Sequence, residues 1–142
     1  MAFDSDHWTE IERRDDAARR ALTSSLSNAK WRRLIAGLEE SGLSLPVCEW
    51  RFLRGDHWFR WSTPKIHNIN DTGVLDHGGF QPFLFKGVEQ VRWPRHYEVG
   101  RGRNLEPWRR TQDIRALEEA LKSIGQFDYE IDETALTLFA YR

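Results

Sequence analysis

Three histidines and two aspartates are the residues whose types first suggest chemistry in this chain. His57, His67 and His77 stand ten residues apart, and Asp56 and Asp76 directly precede two of them. Histidine and carboxylate side chains are ligands that zinc and iron accept. No pair among them has the i,i+2 or i,i+4 spacing that directs two neighbouring side chains to the same side of a strand or helix. We therefore predict that the chain holds neither a metal nor another cofactor.

The candidate nucleophiles lack the neighbours that catalysis requires. The sequence contains no Gly-x-Ser-x-Gly elbow and no Cys–His signature. Cys48, the single cysteine, lies in an aromatic segment and is expected to be a buried small hydrophobic residue. The glycine-rich run 100–103 matches neither the P-loop nor the dinucleotide fingerprint. We predict that the protein is not an enzyme, and a small hydrolase-like enzyme with His57 or His77 as base is kept as an alternative.

An arginine-rich segment at residues 92–110 is the first candidate binding site, and it holds six arginines against two glutamates. The side chains that we expect to contact a partner are Arg92, Arg95, Tyr97, Arg101, Arg103, Trp108 and Arg109. Arginine with exposed aromatic residues is typical of protein interface hot spots and also of grooves for single-stranded nucleic acid. The chain's net charge of -1 favours a protein partner. A solvated loop with its aromatic residues packed into the core is the structural alternative.

An acidic segment near the C-terminus is the second candidate binding site. Residues 113–133 hold seven acidic side chains against two basic ones. Six of the acids are expected to form a surface patch, namely Glu118, Glu119, Asp128, Glu130, Asp132 and Glu133. Such a patch would suit a basic partner surface, for example a nuclease cleft. An ordinary charged helix face and hairpin tip is the alternative, and the sequence leaves open which of the two surfaces is the interface.

An aromatic hairpin at residues 47–61 is the stretch around which we expect the other elements to pack. Its alternation of apolar and charged residues predicts two half-buried strands, and Gly55-Asp56 predicts a two-residue turn. That turn would place three pairs opposite one another: Trp50 with Trp61, Phe52 with Phe59, and Arg51 with Arg60.

Periodicity and turn residues predict the remaining elements and the fold class. Helices are expected over 6–22, between Ser27 and Gly42, and from a cap at Thr111 to Gly125. Strands are expected over 80–85, 88–93, 127–131 and 135–141. The segment 94–108 is expected to be an irregular connection. This order favours an α+β fold, an antiparallel sheet of about five to seven strands with helices packed on one face. We divide the chain into an N-terminal helical arm, 1–25, and a single α+β domain, 26–142.

Length and composition limit the number of domains and the cellular compartment that we expect for the protein. A hydrophobic fraction of 39% in 142 residues permits one domain with a substantial core. A single cysteine excludes an intrachain disulfide, and neither a signal peptide nor a membrane-spanning apolar run is visible. We expect a cytoplasmic protein without membrane contact.

A resemblance adds to these observations. The run Asn28-Ala29-Lys30-Trp31 with Leu34, the Trp-rich strands, the strand Val88-Glu89-Gln90-Val91 and the Tyr-ended last strand resemble a group of short bacterial proteins of unknown function. The similarity covers residues 26–141 and brings no catalytic residues. In general character these small Trp-rich proteins are similar to the immunity proteins of bacterial toxin systems. The resemblance implies a non-catalytic protein that inhibits a cognate toxin or other bacterial protein by occlusion, and the alternative is a nucleic-acid-binding domain that uses residues 92–110.

Overall fold

The structure, a computed structural model, describes residues 26–55, 57–70, 74–75 and 82–141. Its elements in chain order are α1 (Asn28–Ser41), β1 (Cys48–Phe52), β2 (Trp58–Trp61), β3 (Val74–Leu75), β4 (Phe83–Leu84), β5 (Val88–Pro94), β6 (His96–Val99), β7 (Trp108–Thr111), α2 (Ile114–Ile124), β8 (Tyr129–Ile131) and β9 (Ala135–Phe139). The predicted N-terminal helical arm lies outside the described residues. Neither α1 nor α2 has the length and apolar content that crossing a membrane requires.

One antiparallel sheet of five strands, in the order β2-β1-β5-β9-β8, forms the body of the fold. Trp50, Val91 and Leu138 stand opposite one another on adjacent strands and are all buried. The ring of Trp31 in α1 stacks on Trp50 with 5.9 Å between centroids, so this is the face on which the helix packs. We call it the inner face and its reverse the outer face. The predicted α+β class, an antiparallel sheet with helices packed against it, is confirmed.

Helix α1 forms where its apolar spacing and its caps predict it. Trp31, Leu34, Ile35 and Leu38 recur on one side of the helix and are all buried. The hydroxyl of Ser27 accepts a hydrogen bond from the Lys30 backbone N–H at 3.1 Å. At the other end Gly42 adopts a left-handed conformation with φ 71°, which glycine reaches without a steric penalty.

Helix α2 begins two residues later than predicted. Asp113, not Thr111, is its N-cap, and the Asp113 carboxylate accepts from the Ala116 N–H at 3.0 Å. Thr111 is the last residue of β7 instead, which explains the error. The two helices meet at Gly37, where a Cβ atom would lie only 2.5 Å from Ile124 Cγ1. Glycine at this position therefore permits the close approach of α1 and α2.

The predicted register of the aromatic hairpin is wrong by two residues. Trp50 faces Phe59 and Arg51 faces Trp58, because β1 ends at Phe52 and β2 begins only at Trp58. The chain turns at Gly55, whose N–H donates to the Phe52 carbonyl at 3.2 Å, and the connection is longer than a two-residue turn.

The predicted faces of that hairpin are nevertheless correct. A shift of two residues leaves every side chain on the same side of the sheet. Phe52 and Phe59, and likewise Trp50 and Trp61, are diagonal neighbours on the inner face, each pair with centroids 5.8 Å apart. The alternation in the sequence therefore determined the faces, and the loop length determined the register.

The strands predicted over 80–85 and 88–93 belong to different sheets. β4 pairs with the short strand β3, while β5 lies at the centre of the five-stranded sheet. Between them Phe85 is fully buried and stacks on Trp31 with 5.0 Å between centroids. A 3-10 turn over Phe85–Gly87 connects the two strands and places the Phe85 ring in the core.

Candidate functional site

The arginine-rich segment contains a β-hairpin, so the predicted irregular connection over 94–108 is wrong. β6 and β7 pair antiparallel from His96 opposite Thr111 to Val99 opposite Trp108, and a loop over 100–107 joins them. We call residues 96–111 the arginine hairpin. All residues from 98 to 111 are exposed. A four-residue strand exposed on both sides has no apolar alternation, and for this reason periodicity did not reveal it.

One side of the arginine hairpin is aromatic and basic. Residues opposite each other on paired strands point to the same side, and Tyr97 faces Arg110 while Val99 faces Trp108. The guanidinium carbon of Arg110 lies 4.9 Å from the Trp108 ring centroid, and that of Arg101 lies 5.3 Å from it. We call these five residues the Trp108 face. Trp108 itself is 48% exposed although it is one of the most apolar side chains in the chain.

The other side of the hairpin is polar, and its groups contact one another. His96 Nδ1 lies 3.0 Å from the Thr111 hydroxyl. Arg109 Nε lies 3.9 Å from a Glu98 carboxylate oxygen. Arg109, which the sequence placed in the binding site, is therefore on the opposite side of the hairpin from Trp108.

A buried glutamine fixes the base of the hairpin to the body of the fold. The side-chain amide of Gln112 donates to the carbonyls of Val47 and Pro94, each at 2.7 Å, and its oxygen accepts from the Val47 N–H at 3.3 Å. The Arg95 N–H also donates to the Thr134 carbonyl at 2.8 Å. Gln112 is only 3% exposed. Its role was not visible in the sequence, since a single glutamine between Thr111 and Asp113 carries no periodic signal.

Arg92 is not part of the hairpin and lies on the outer face of the sheet. Its Nε donates to a Glu49 carboxylate oxygen at 2.9 Å, and its guanidinium carbon lies 3.9 Å from the Trp58 ring centroid. The other oxygen of Glu49 accepts from Arg60 Nη2 at 3.1 Å. Arg60 was expected opposite Arg51, and the shifted register gives it Glu49 instead.

Several residues of the predicted acidic patch take part in stabilising contacts. Glu118 accepts from the Tyr129 hydroxyl at 2.9 Å, and burial, reinforced by this carboxylate, raises the pKa of the Tyr129 hydroxyl. The Thr134 hydroxyl, with the backbone N–H groups of Thr134 and Ala135, lowers the pKa of the Asp132 carboxyl. Glu119 Oε1 lies 3.4 Å from Lys122 Nζ, whereas Asp128 is half-buried and Glu130 and Glu133 are exposed.

His57 and His67 lie in different segments of the structure. His57 precedes β2, and His67 lies in a 3-10 turn over Ile66–Asn68; both are exposed. His77 and the two aspartates lie outside the described residues. Among the residues that the structure describes, no group of three His, Cys, Asp or Glu side chains is placed to hold a metal ion.

Cys48 is fully buried, as predicted. Its sulfur accepts a hydrogen bond from the indole N–H of Trp50 at 3.1 Å. Burial raises the pKa of the Cys48 thiol to about 12. A thiol in this state is almost wholly protonated at neutral pH, and only the thiolate is a nucleophile.

We expect the Cys48 thiol of the folded protein to react about 1,000-fold more slowly with iodoacetamide, near pH 8, than the thiol of the unfolded chain. Each pKa unit changes the thiolate fraction tenfold, and burial also excludes the reagent. Mass spectrometry of alkylation in native buffer and in concentrated guanidinium chloride measures the ratio. Ser123→Cys supplies an exposed thiol in the same fold as a control. Equal labelling of both thiols in native buffer would contradict the prediction.

No protein-family model matches the chain, and no match was found among curated proteins or among solved structures. Its function is therefore inferred from its own residues.

Six of the residues predicted to bind a partner are held together at or beside the arginine hairpin: Arg95, Tyr97, Arg101, Arg103, Trp108 and Arg109.

Proposed function

We propose that the protein is a non-catalytic binding protein that inhibits a partner protein by occluding it, in the manner of the immunity proteins of bacterial toxin systems. The observation that carries the proposal is the apolar end of the arginine hairpin. Val99, Leu105 and Trp108 are 38%, 53% and 48% exposed there. Large apolar side chains that are exposed together commonly belong to an interaction site.

The composition of the Trp108 face supports a protein partner. Tryptophan, tyrosine and arginine are the residues most enriched among interface hot spots. Trp108 presents an extended ring at a small cost in side-chain entropy, and Arg101 and Arg110 flank it. A partner that enclosed this ring would gain contact area and hydrogen bonds at the same point.

The shape and anchoring of the hairpin support occlusion as the mode of action. Its four-residue strands extend for roughly 14 Å, at about 3.4 Å per residue, which is long enough to enter a cleft. Gln112 and Arg95 fix its base to the sheet by hydrogen bonds. Because the base is ordered before binding, less conformational entropy is lost on association.

The experiment is co-expression of this chain with the product of the adjacent reading frame, followed by measurement of the affinity and stoichiometry of any complex. We expect Trp108→Ala to weaken the complex about 30-fold or more, the loss that follows removal of a hot-spot side chain. Phe59→Ala is the matched control because Phe59 is a similarly exposed aromatic residue, at 42%, that lies outside the arginine hairpin. Its substitution should leave the affinity unchanged.

Two results would overturn the proposal. One is a purified chain that forms no stoichiometric complex with any protein and shows turnover of a substrate. The other is a complex that Phe59→Ala weakens and Trp108→Ala does not. That result would mean that the arginine hairpin does not contact the partner.

Binding of nucleic acid by the same hairpin is the second candidate function. Residues 95–111 contain five arginines and two glutamates and so carry a formal charge of +3. A basic element with an exposed tryptophan resembles the stacking sites of single-strand binders. Its affinity for an oligonucleotide would fall steeply as salt is raised, and the absence of any salt-dependent shift with DNA or RNA excludes it.

A further inference from the structure

We infer that the surface recognised by the Trp108 face is an acidic protein surface, in which carboxylates surround an apolar recess that receives Trp108. This inference rests on the proposed function and specifies its partner. The acidic C-terminal segment, which suggested a basic partner, is then not the principal interface.

The charge of the arginine hairpin is the first support. Residues 95–111 carry a formal charge of +3, in a chain whose net charge is -1. Glu98 lies 3.9 Å from Arg109, on the side opposite Trp108. Within the described part of the chain, no carboxylate lies within 4.0 Å of the guanidinium groups of Arg101, Arg103 or Arg110. No carboxylate of the described residues therefore neutralises Arg101 or Arg110 on the Trp108 face.

The positions of these cations are the second support. Arg101 and Arg110 both lie within 5.3 Å of the Trp108 ring centroid, so apolar surface and positive charge coincide. A guanidinium group binds a carboxylate through two parallel hydrogen bonds, which fixes the orientation of both groups. Aspartates and glutamates at the rim of a recess would bind both arginines while the recess encloses the ring.

Acidic residues near the hairpin base favour a protein over a nucleic acid. The hydrogen bond from Arg95 N–H to the Thr134 carbonyl places the β8–β9 turn, with exposed Asp132 and Glu133, beside that base. Glu106 lies in the hairpin loop. A nucleic-acid strand carries charge along its whole length, and a strand lying along the hairpin would meet Asp132 and Glu133 at the base. A compact acidic patch confined to the loop end of the hairpin avoids Asp132 and Glu133 at its base.

The test measures binding of two polyanions to the full chain: poly-L-glutamate, and oligothymidylate of about 20 nucleotides, longer than a typical single-strand binding site. We expect poly-L-glutamate to shift the backbone amide resonances of residues 97–110 and to bind more weakly as salt is added. The double variant Arg101→Gln/Arg110→Gln should lose about tenfold or more in affinity. Arg33→Gln/Arg115→Gln removes the same charge from exposed positions on the two helices and should bind like the unmodified chain.

The outcomes separate this inference from the proposed function. Tighter binding of oligothymidylate than of poly-L-glutamate at the hairpin would overturn the inference in favour of phosphate recognition. Equal affinity of the two double variants would overturn it too. If a stoichiometric protein complex forms and Arg101→Gln/Arg110→Gln leaves it intact, the inference fails and the proposed function stands. If no protein complex forms at all, the proposed function fails, whatever poly-L-glutamate does.

Discussion

Replacing Trp50 with alanine is expected to lower the free energy of unfolding by about 3–5 kcal/mol. Trp50 is 1% exposed, and its ring lies 5.9 Å from that of Trp31, 5.8 Å from that of Trp61 and 5.4 Å from that of Phe83. Its indole N–H also donates to Cys48. The substitution leaves a large cavity between helix and sheet, and these rigid rings cannot close it. Urea-induced unfolding, followed by circular dichroism, measures the loss.

Phe59→Ala is the matched control for this prediction. Phe59 stands directly opposite Trp50 on the neighbouring strand, yet it is 42% exposed. Its removal should cost about 1 kcal/mol or less, the contribution of one cross-strand pair. Domains of this size have total stabilities of about 5–15 kcal/mol, so only Trp50→Ala should populate unfolded chain under native conditions. Similar losses for both variants would mean that the aromatic core does not centre on Trp50.

The second large effect is expected at Gln112. Gln112→Leu should lower the free energy of unfolding by about 3 kcal/mol, because it leaves three backbone groups of Val47 and Pro94 without their partner. The same substitution releases the base of the arginine hairpin. We therefore expect the amides of residues 96–111 to exchange with solvent faster in this variant, as hydrogen exchange can measure, whereas those of α1 keep most of their protection.

Gln112→Glu tests the same site through its pH dependence. The new carboxylate would place an oxygen where the amide nitrogen now donates, 2.7 Å from two carbonyl oxygens. The repulsion raises the pKa of that carboxyl above its usual value, so the protonated form is favoured in the folded state. The variant's deficit should be smallest near pH 4 and should grow as the pH rises through the raised pKa. The exposed Gln126→Glu serves as control, and a deficit independent of pH would contradict this account.

The sequence was informative where the determinants of structure are local. The spacing of Trp31, Leu34 and Leu38 and the caps at Ser27 and Gly42 lie within one helix, and α1 formed as predicted. The faces of the aromatic hairpin followed from alternation alone. Its register depended on the length of a loop, and the pair Gly55-Asp56 does not by itself distinguish a two-residue turn from a longer one.

The arginine hairpin is an element whose structure could not be predicted from local sequence patterns. Its composition identified it as a candidate site, but its strands are short, exposed and without apolar alternation. The hydrogen bonds that fix its base join Gln112 to Val47, 65 residues away in the chain. The contacts of the acidic segment were likewise not visible in the sequence. Tyr129 donates to Glu118 and the Thr134 hydroxyl donates to Asp132, and neither pair belongs to a periodic pattern.

The row formed by Arg60, Glu49 and Arg92 on the outer face has a consequence for how this protein avoids non-specific association. One carboxylate is held between two guanidinium groups at 3.1 Å and 2.9 Å, on three adjacent strands. An apolar surface docking there would have to strip water from all three charges without offering hydrogen bonds in return, and that desolvation would cost several kcal/mol per ion. The row of charges thus opposes apolar association on the outer face of the sheet.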